Sequence, residues 1–261
     1  MSAEDVAERI TAAFTRQADG FNRSLAATHA DLLDAIAAVC APEASDRWLE
    51  AACGPGVIAR RLAPSVASVH GVDLTPAMVE LAREEAARLG AGNATFAVGD
   101  ATATGLPDGA AGGGFDGAVS RFSVHHIPRP GRLIAEMARV VRPGGAVVVI
   151  DHLADTDEHD YRFSQEVERL RDPSHWLSLT AAELRGLGAD HGLDLEHEQV
   201  VRISIDFDDW LTRGTTDPQA TALVEQALAE RPTGTACFGV RQGPDGRTLD
   251  LQIWVGRFRR S

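Results

Sequence analysis

Three acidic residues lie at or just beyond the ends of three successive predicted strands, beside a glycine-rich turn. Glu50 belongs to the first strand, Asp73 ends the second, and Asp100 follows the third. The turn after the first strand, Cys53 to Gly56, precedes a helix, where glycines let a ligand approach the backbone and the helix N-terminus offers free N–H groups. Asp73 lies 19 residues after Gly54, a position from which a carboxylate can accept hydrogen bonds from both ribose hydroxyls. With Asp100 accepting from an adenine amine, the pattern predicts an adenosine site without a pyrophosphate clamp.

A dinucleotide site is the alternative for the same turn. Gly54-x-Gly56-x-x-Ala59 satisfies the dinucleotide fingerprint, although a match of this length carries little weight by itself. An NAD(P)-dependent oxidoreductase would use Asp73 in the same way, but it gives no reason for Asp100-Ala101. The sequence contains no lysine, so the Tyr-x-x-x-Lys pair of many such enzymes is impossible.

Two adjacent histidines, His125 and His126, follow the fourth predicted strand and are candidates for general-base chemistry. Neighbouring side chains in an extended chain point to opposite faces. Alternation counted from Ser120 favours His125 toward the substrate and His126 toward the following helix. A hydrogen-bonded loop histidine explains either residue equally well. His152 and His175 are further candidates whose loops the sequence does not place.

We predict no metal site. The acidic connection after the fifth strand offers several ligand types, but it has no histidine pair at helical spacing, and acidic loops of this kind are usually solvated. The residues concerned are Asp151, His152, Asp155, Asp157, His159 and Asp160.

Arg171 to Trp176 form a compact polar cluster in the second half of the chain. One hypothesis makes this segment a lid, with Arg171 or His175 reaching the substrate. A proline-containing turn with a purely structural role is the alternative. Phe21, in the predicted N-terminal helical cap, is another candidate substrate contact.

The elements that must position these residues alternate between strand and helix. The alternation predicts βαβ units and a parallel sheet over about 47–151, and the apolar run Val147 to Ile150 fits a strand covered on both faces. Further along, helices are predicted near 161–171, 180–190 and from Pro218, with strands near 198–205 and 248–257 and a turn at 241–247.

Composition excludes several classes of function. The 38 acidic residues outnumber the 25 basic ones, all arginine, giving a net charge of −13, which argues against nucleic-acid and membrane partners. The missing lysine excludes Schiff-base chemistry. No apolar run is long enough to span a bilayer, the acidic N-terminus lacks a signal-peptide pattern, and three cysteines without CxxC spacing are expected to be reduced. We therefore expect a cytoplasmic protein.

Taken together in this order, the motifs resemble those of class I S-adenosylmethionine-dependent methyltransferases, particularly the ubiquinone/menaquinone C-methyltransferase group. The resemblance covers about residues 14–152. The matching segments are 49–56, 72–75, 99–101, 115–116, 120–126 and 139–145, preceded by Phe14-x-x-Gln17-Ala18.

The resemblance implies an α/β, Rossmann-like sheet of seven strands, the last antiparallel, with an N-terminal helical cap and an inserted helical segment. It implies one methyltransferase domain, divided into a cap (1–45), a cofactor-binding half (46–152) and a substrate lid with C-terminal strands (153–261). The implied cofactor is S-adenosyl-L-methionine. The expected cofactor contacts are Glu50, Ala52, Gly54, Gly56, Asp73, Leu74, Asp100, Ala101, Ser120 and Arg121.

The implied reaction is methyl transfer to a small-molecule acceptor, for which a natural-product intermediate is one hypothesis. Ala52 is a departure, because the family usually has glycine there, and its methyl group is expected near the methionine half of the cofactor. A cofactor-binding enzyme that catalyses a non-methylating reaction stays an alternative, as does the oxidoreductase.

Overall fold

A mixed β-sheet forms the centre of the computed structural model, which describes residues 5, 7–17, 30–244 and 246–261. Eight strands lie within these residues: β1 (Arg47–Ala51), β2 (Ser68–Asp73), β3 (Ala94–Val98), β4 (Phe115–Arg121), β5 (Val141–His152), β6 (Leu193–Asp206), β7 (Phe238–Gly243) and β8 (Gly246–Arg260). Their order is β3-β2-β1-β4-β5-β8-β6, with β7 also pairing with β8.

Strand direction gives the sheet its Rossmann-like character. The pairs formed among β1 to β5 are parallel, whereas β8 runs antiparallel to β5, β6 and β7. The predicted α/β sheet with one antiparallel strand near the C-terminus is therefore confirmed. The count differs by one strand, because the predicted turn at 241–247 is the tip of a β7–β8 hairpin.

Helices cover both faces of the sheet. Within the described residues they are α1 (7–17), α2 (Ala30–Cys40), α3 (Val57–Leu62), α4 (Pro76–Arg88), α5 (Pro130–Val140), α6 (Glu158–Arg171), α7 (Ala181–Ala189), α8 (Phe207–Gly214) and α9 (Pro218–Glu230). Helix α8, whose apolar residues Phe207, Trp210 and Leu211 are buried, is not among the helices predicted from the sequence. None of the helices in the described ranges is both long and apolar enough to cross a bilayer.

Alternating side chains of the central strands divide the core into two layers. Val148 and Ile150 of β5 pack in one layer with helices α2, α3 and α4. Val147 and Val149 pack in the other, against α5. This burial on both faces is the outcome that the apolar run predicts. Because each parallel strand ends at the same edge, the residues that follow β1, β2, β3 and β4 are brought together there.

Candidate active site

A cavity of about 480 Å³ lies at this edge of the sheet. Its lining comes from the turns that follow β1 to β4, from α1, from the start of α5 and from Trp176. Its lining residues are Ala7, Ile10, Phe14, Glu50, Ala52, Cys53, Gly54, Pro55, Val57, Asp73, Leu74, Met78, Asp100, Ala101, Thr102, Arg121, Phe122, Ser123, His126, Ile127, Pro128, Arg129, Arg132 and Trp176. The cavity therefore joins the predicted cofactor residues to one of the two adjacent histidines.

Glu50 connects the first strand to the helix that follows it. Its carboxylate accepts hydrogen bonds from the N–H groups of Ile58 at 3.2 Å and Ala59 at 2.7 Å, so it caps the start of α3, where an anion is favoured. Burial raises the pKa of Glu50 to about 7, against the lowering effect of these N–H groups. Glu50 thus sets the position of the glycine turn as well as lining the cavity.

Asp73 holds the glycine turn from the adjacent strand. One carboxylate oxygen accepts from Gly54 N–H at 2.7 Å and the other from Thr75 N–H at 2.9 Å. Burial raises the pKa of Asp73, although both N–H groups lower it. A carboxylate offers about four acceptor positions, so each oxygen retains capacity for one further donor. Two ribose hydroxyls fit that capacity.

The turn after β1 uses left-handed backbone conformations. Gly54 has φ of 50° and Ala52 has φ of 54°. Glycine adopts this region freely, whereas a Cβ atom makes it costly. The departure at Ala52 therefore coincides with a position whose geometry favours the usual glycine.

Asp100 and Arg121 are further predicted cofactor residues that line the cavity. Asp100 is exposed and one of its oxygens accepts from Thr102 N–H at 2.8 Å. Arg121 lies across the Phe122 ring, and its buried Nη1 atom has no hydrogen-bond partner in the described part of the chain. Burial lowers the pKa of Arg121 to about 10, against the attraction of Glu50. A buried donor of this kind favours a carboxylate partner, so the cavity fits a ligand with a ribose at one end and an amino-acid carboxylate at the other, as S-adenosylmethionine has.

Two of the ten predicted cofactor residues do not line the cavity. Gly56 packs tightly instead, since a Cβ there would lie 2.5 Å from the Phe96 ring. Ser120 is fully buried, and its hydroxyl lies 2.8 Å from the Ala51 oxygen and 2.6 Å from the Ser123 hydroxyl. These residues shape the turns that follow β1 and β4. The other eight predicted residues do line the cavity: Glu50, Ala52, Gly54, Asp73, Leu74, Asp100, Ala101 and Arg121.

The expected orientations of the adjacent histidines are wrong. His126 lines the cavity, and His125 does not. The alternation from Ser120 fails because Phe122 adopts a left-handed φ of 54° and residues Val124–His126 form a 3₁₀ turn. His125 points instead toward Asp151, whose carboxylate contacts His125 Nδ1.

His126 is held by the segment that follows α6. Its Nδ1 atom lies 3.1 Å from the backbone oxygen of Ser174 and 3.1 Å from the Ser174 hydroxyl. That hydroxyl donates to Asp172 at 2.6 Å. The Phe14 ring packs edge-on against the His126 ring, with centroids 4.9 Å apart. Three separate parts of the chain therefore meet at His126.

His125 and Asp151 are buried and His152 is partly buried, and their ligand atoms all lie within 4.8 Å of one another, so these residue types could hold a metal ion. The two imidazoles stack with centroids 4.7 Å apart and planes 12° from parallel. The Asp151 carboxylate already accepts a hydrogen bond from the backbone N–H of His125 at 3.2 Å. Burial lowers the pKa values of both histidines well below the usual range. The prediction of no metal stays a prediction.

The residues predicted for a lid have structural contacts. Arg171 lies over the Trp210 ring and donates to the Trp210 oxygen at 3.2 Å, and His175 lies 2.9 Å from the side-chain oxygen of Gln165. Neither lines the cavity, so the structure does not bring them together with the predicted cofactor residues, and their contact with substrate stays a prediction. Phe21 lies outside the described residues.

Trp176 is the member of this segment that lines the cavity. The backbone N–H of Trp176 donates to the backbone oxygen of His125 at 2.8 Å, and the residue is 39% exposed. Arg129 and Arg132, at the start of α5, also line the cavity and were not predicted from the sequence. Only their place just after the double histidine could have indicated them.

Comparisons with known proteins agree with this geometry. Residues 49–149 match the family described as methyltransferase domain. The chain is 32% identical over 173 residues to the uncharacterized methyltransferase YcgJ of Bacillus subtilis, covering 66% of this chain and 67% of the relative. The crystal structure of YcgJ superposes with a TM-score of 0.79 at 26% identity, over 89% of this chain and 100% of that chain.

Two more distant relatives carry more specific names. The ubiquinone/menaquinone biosynthesis C-methyltransferase of Methylobacterium nodulans is 36% identical over 108 residues, 40% of this chain and 41% of the relative. The aklanonic acid methyltransferase of a Streptomyces species is 28% identical over 143 residues, 54% of this chain and 63% of the relative. The resemblance to the quinone group is thus partial, and membership of that group stays a prediction.

Proposed function

The chain belongs to the S-adenosylmethionine-dependent methyltransferases, and we propose that it methylates a small-molecule acceptor that binds between the cofactor and His126. The observation that carries the proposal is the continuity of one cavity from the acids at the strand ends to His126, Phe14 and Trp176. A cavity of about 480 Å³ suits a small metabolite, since ligand sites commonly measure roughly 300–1,000 Å³. The net charge of −13 also favours a small molecule over nucleic acid.

Each end of the cofactor has a proposed partner in this cavity. Asp73 would accept hydrogen bonds from the ribose hydroxyls and Asp100 from the adenine amine, while Arg121 would bind the methionine carboxylate. When bound, the cofactor supplies a methyl group made electrophilic by its sulfonium. The chain then has to align a nucleophile behind the methyl carbon and exclude water.

His126 is the proposed general base. The acceptor's lone pair would form the new bond to the methyl carbon while the carbon–sulfur bonding pair returns to sulfur, and the acceptor's proton would pass to His126 Nε2. Because the Ser174 backbone oxygen can only accept a hydrogen bond, it favours the tautomer with the proton on Nδ1. Nε2 is then the free acceptor, as a base requires.

We propose that the acceptor is a natural-product intermediate or a related metabolite. Similarity to the aklanonic acid methyltransferase supports it. We further propose that residues 153–261 supply the lid over the acceptor, since Trp176 lies in the cavity wall.

Calorimetry with S-adenosylhomocysteine tests the cofactor site. We expect parent protein to bind it, and Asp73→Asn to bind at least about tenfold more weakly, because a charged acceptor of hydrogen bonds is worth roughly 1.5–3 kcal/mol per bond. Asp34→Asn makes the same charge change on α2, in an exposed ion pair with Arg61, and should bind as the parent does. Equal affinity of the parent and Asp73→Asn would refute the site.

Transfer from tritiated-methyl cofactor to a panel of phenols, enols and aromatic acids tests the reaction. Label in an acceptor supports the proposal. Conversion of an acceptor without incorporation of label would show that the protein catalyses a non-methylating reaction instead.

A further inference from the structure

Charged residues are separated within the cavity. Three acids line it at the carboxyl ends of the first three strands: Glu50 lies within β1, Asp73 ends β2 and Asp100 follows β3. Two arginines, Arg129 and Arg132, line it at the start of α5, which follows the turn after β4. The chain has 38 acidic and 25 basic residues, yet among the described residues no acid of α1 or of the start of α5 lines the cavity beside these arginines. The potential beside the arginines therefore favours an anion.

The two arginines have no structural use that the described residues reveal. Both side chains are exposed, and neither forms an ion pair or a side-chain hydrogen bond with the described part of the chain. Many other arginines do form such pairs, for example Arg139 with Glu136 on the same helix. A cation near a helix N-terminus is also unfavourable, because that end carries partial positive charge. The positions of Arg129 and Arg132 therefore oppose fold stability slightly.

The surfaces beside the arginines are apolar. Ile127 and Pro128 precede Arg129 in the chain, and Phe14 and Trp176 line the same cavity, with Phe14 against the His126 ring. Trp176 is one of the few large apolar side chains with substantial exposure. Exposed aromatic surface in a cavity is suited to a flat apolar ligand.

We propose that Arg129 and Arg132 bind an anionic group, a carboxylate or a phosphate, on an acceptor whose apolar body packs against Phe14 and Trp176. The inference rests on the proposed function and names the acceptor's chemical class. The anionic group anchors the acceptor at the cavity mouth, and the atom that receives the methyl group lies deeper, beside His126. The anion is therefore a binding determinant, distinct from the nucleophile.

Binding of matched probes to protein saturated with S-adenosylhomocysteine tests the inference. The probes are naphthoate, naphthyl phosphate and neutral naphthamide, which share one apolar body. We expect at least one anion to bind about fivefold or more tightly than naphthamide, because only the anions can form charge pairs with the two partly exposed guanidinium groups. Comparison of naphthoate with naphthyl phosphate identifies which anion the site prefers.

The double variant Arg129→Gln/Arg132→Gln should bind the anions and naphthamide with about equal affinity, while its affinity for S-adenosylhomocysteine should be unchanged. Arg88→Gln is the control, since Arg88 is exposed on α4 and pairs with Glu85. The inference is overturned if naphthamide binds as tightly as both anions, if no probe binds, or if the preference survives in the double variant. Failure of the protein to bind S-adenosylhomocysteine at all would instead refute the proposed function.

Discussion

The Nδ1 atom of His126 lies 3.1 Å from the backbone oxygen of Ser174, and this contact determines which nitrogen of the ring carries the proton. The Ser174 hydroxyl donates its hydrogen bond to Asp172. Toward Nδ1 this hydroxyl can therefore act only as an acceptor. Neutral His126 must therefore donate from Nδ1 and keep a lone pair on Nε2. The segment after α6 thereby prepares a residue of the turn after β4 for proton removal.

His126→Ala should lower the rate of methyl transfer by about 10²–10⁴, the usual range for loss of a general base. Affinity for S-adenosylhomocysteine should change less than about twofold, because the proposed cofactor partners lie elsewhere. Steady-state transfer and calorimetry measure the two quantities.

Ser174→Ala is the matched control for that experiment. It removes the hydroxyl but retains the backbone oxygen that accepts from Nδ1, so the rate should fall by less than about tenfold. Full turnover by His126→Ala on an acceptor whose proton must leave would show that alignment alone drives the reaction.

The sequence predicts that the acids at the strand ends and the glycine turn lie together, and in the structure they line one cavity. The spacing of Gly54 and Asp73, across one helix and one strand, predicts that both face the same ligand site, and in the structure Gly54 N–H donates directly to the Asp73 carboxylate. Glu50 and Asp100 follow from the same rule, since parallel strands end at one edge of the sheet.

The acceptor side depends on backbone conformation that no residue pattern encodes. The left-handed φ of Phe122 reverses the expected orientations of His125 and His126. Trp176 reaches the cavity because its N–H bonds to the His125 oxygen, a contact between segments about fifty residues apart. Periodicity also missed β7, whose polar Arg241 and Gln242 do not alternate with apolar residues as a half-buried strand would.

The buried histidines should make the folded protein sensitive to acid. Burial, together with the nearby His125 and His126, lowers the pKa of His175 from 6.5 to about 2. The unfolded chain therefore binds a proton near pH 6.5 while the folded chain does not. The stability that this residue contributes is complete above pH 6.5 and is lost as the pH falls, by about 1.4 kcal/mol per pH unit.

When the pH is lowered from 7 to 5, the free energy of unfolding of His175→Gln should therefore fall by about 2 kcal/mol less than that of the parent. Urea unfolding at the two pH values measures the difference. Glutamine at this position can still form a hydrogen bond with Gln165, whose side-chain oxygen lies 2.9 Å from His175 in the parent. His159→Gln is the control, because His159 is exposed on α6, and its pH dependence should match that of the parent. Equal pH dependence of His175→Gln and the parent would contradict the assignment of a buried neutral histidine.

Replacing Ala52 by glycine should stabilise the protein. Ala52 has a φ of 54°, and a left-handed conformation costs a residue with a Cβ roughly 1–2 kcal/mol. Glycine removes that cost but gives back roughly 0.4–1 kcal/mol through its freer unfolded chain. We expect the free energy of unfolding to rise by about 0.5–1 kcal/mol, measured by urea titration.

Ala101→Gly separates relief of this strain from simple removal of a methyl group. Ala101 also lines the cavity and is 7% exposed, but it is not among the residues with positive φ. The same substitution there relieves no strain, loosens the unfolded chain and exposes buried surface, so it should destabilise the protein by about 1 kcal/mol. Opposite signs for the two substitutions are the expected result, because only Ala52 occupies a conformation that favours glycine. If both destabilise the protein equally, the backbone at Ala52 is unstrained, and the departure from the usual glycine has no energetic consequence for the fold.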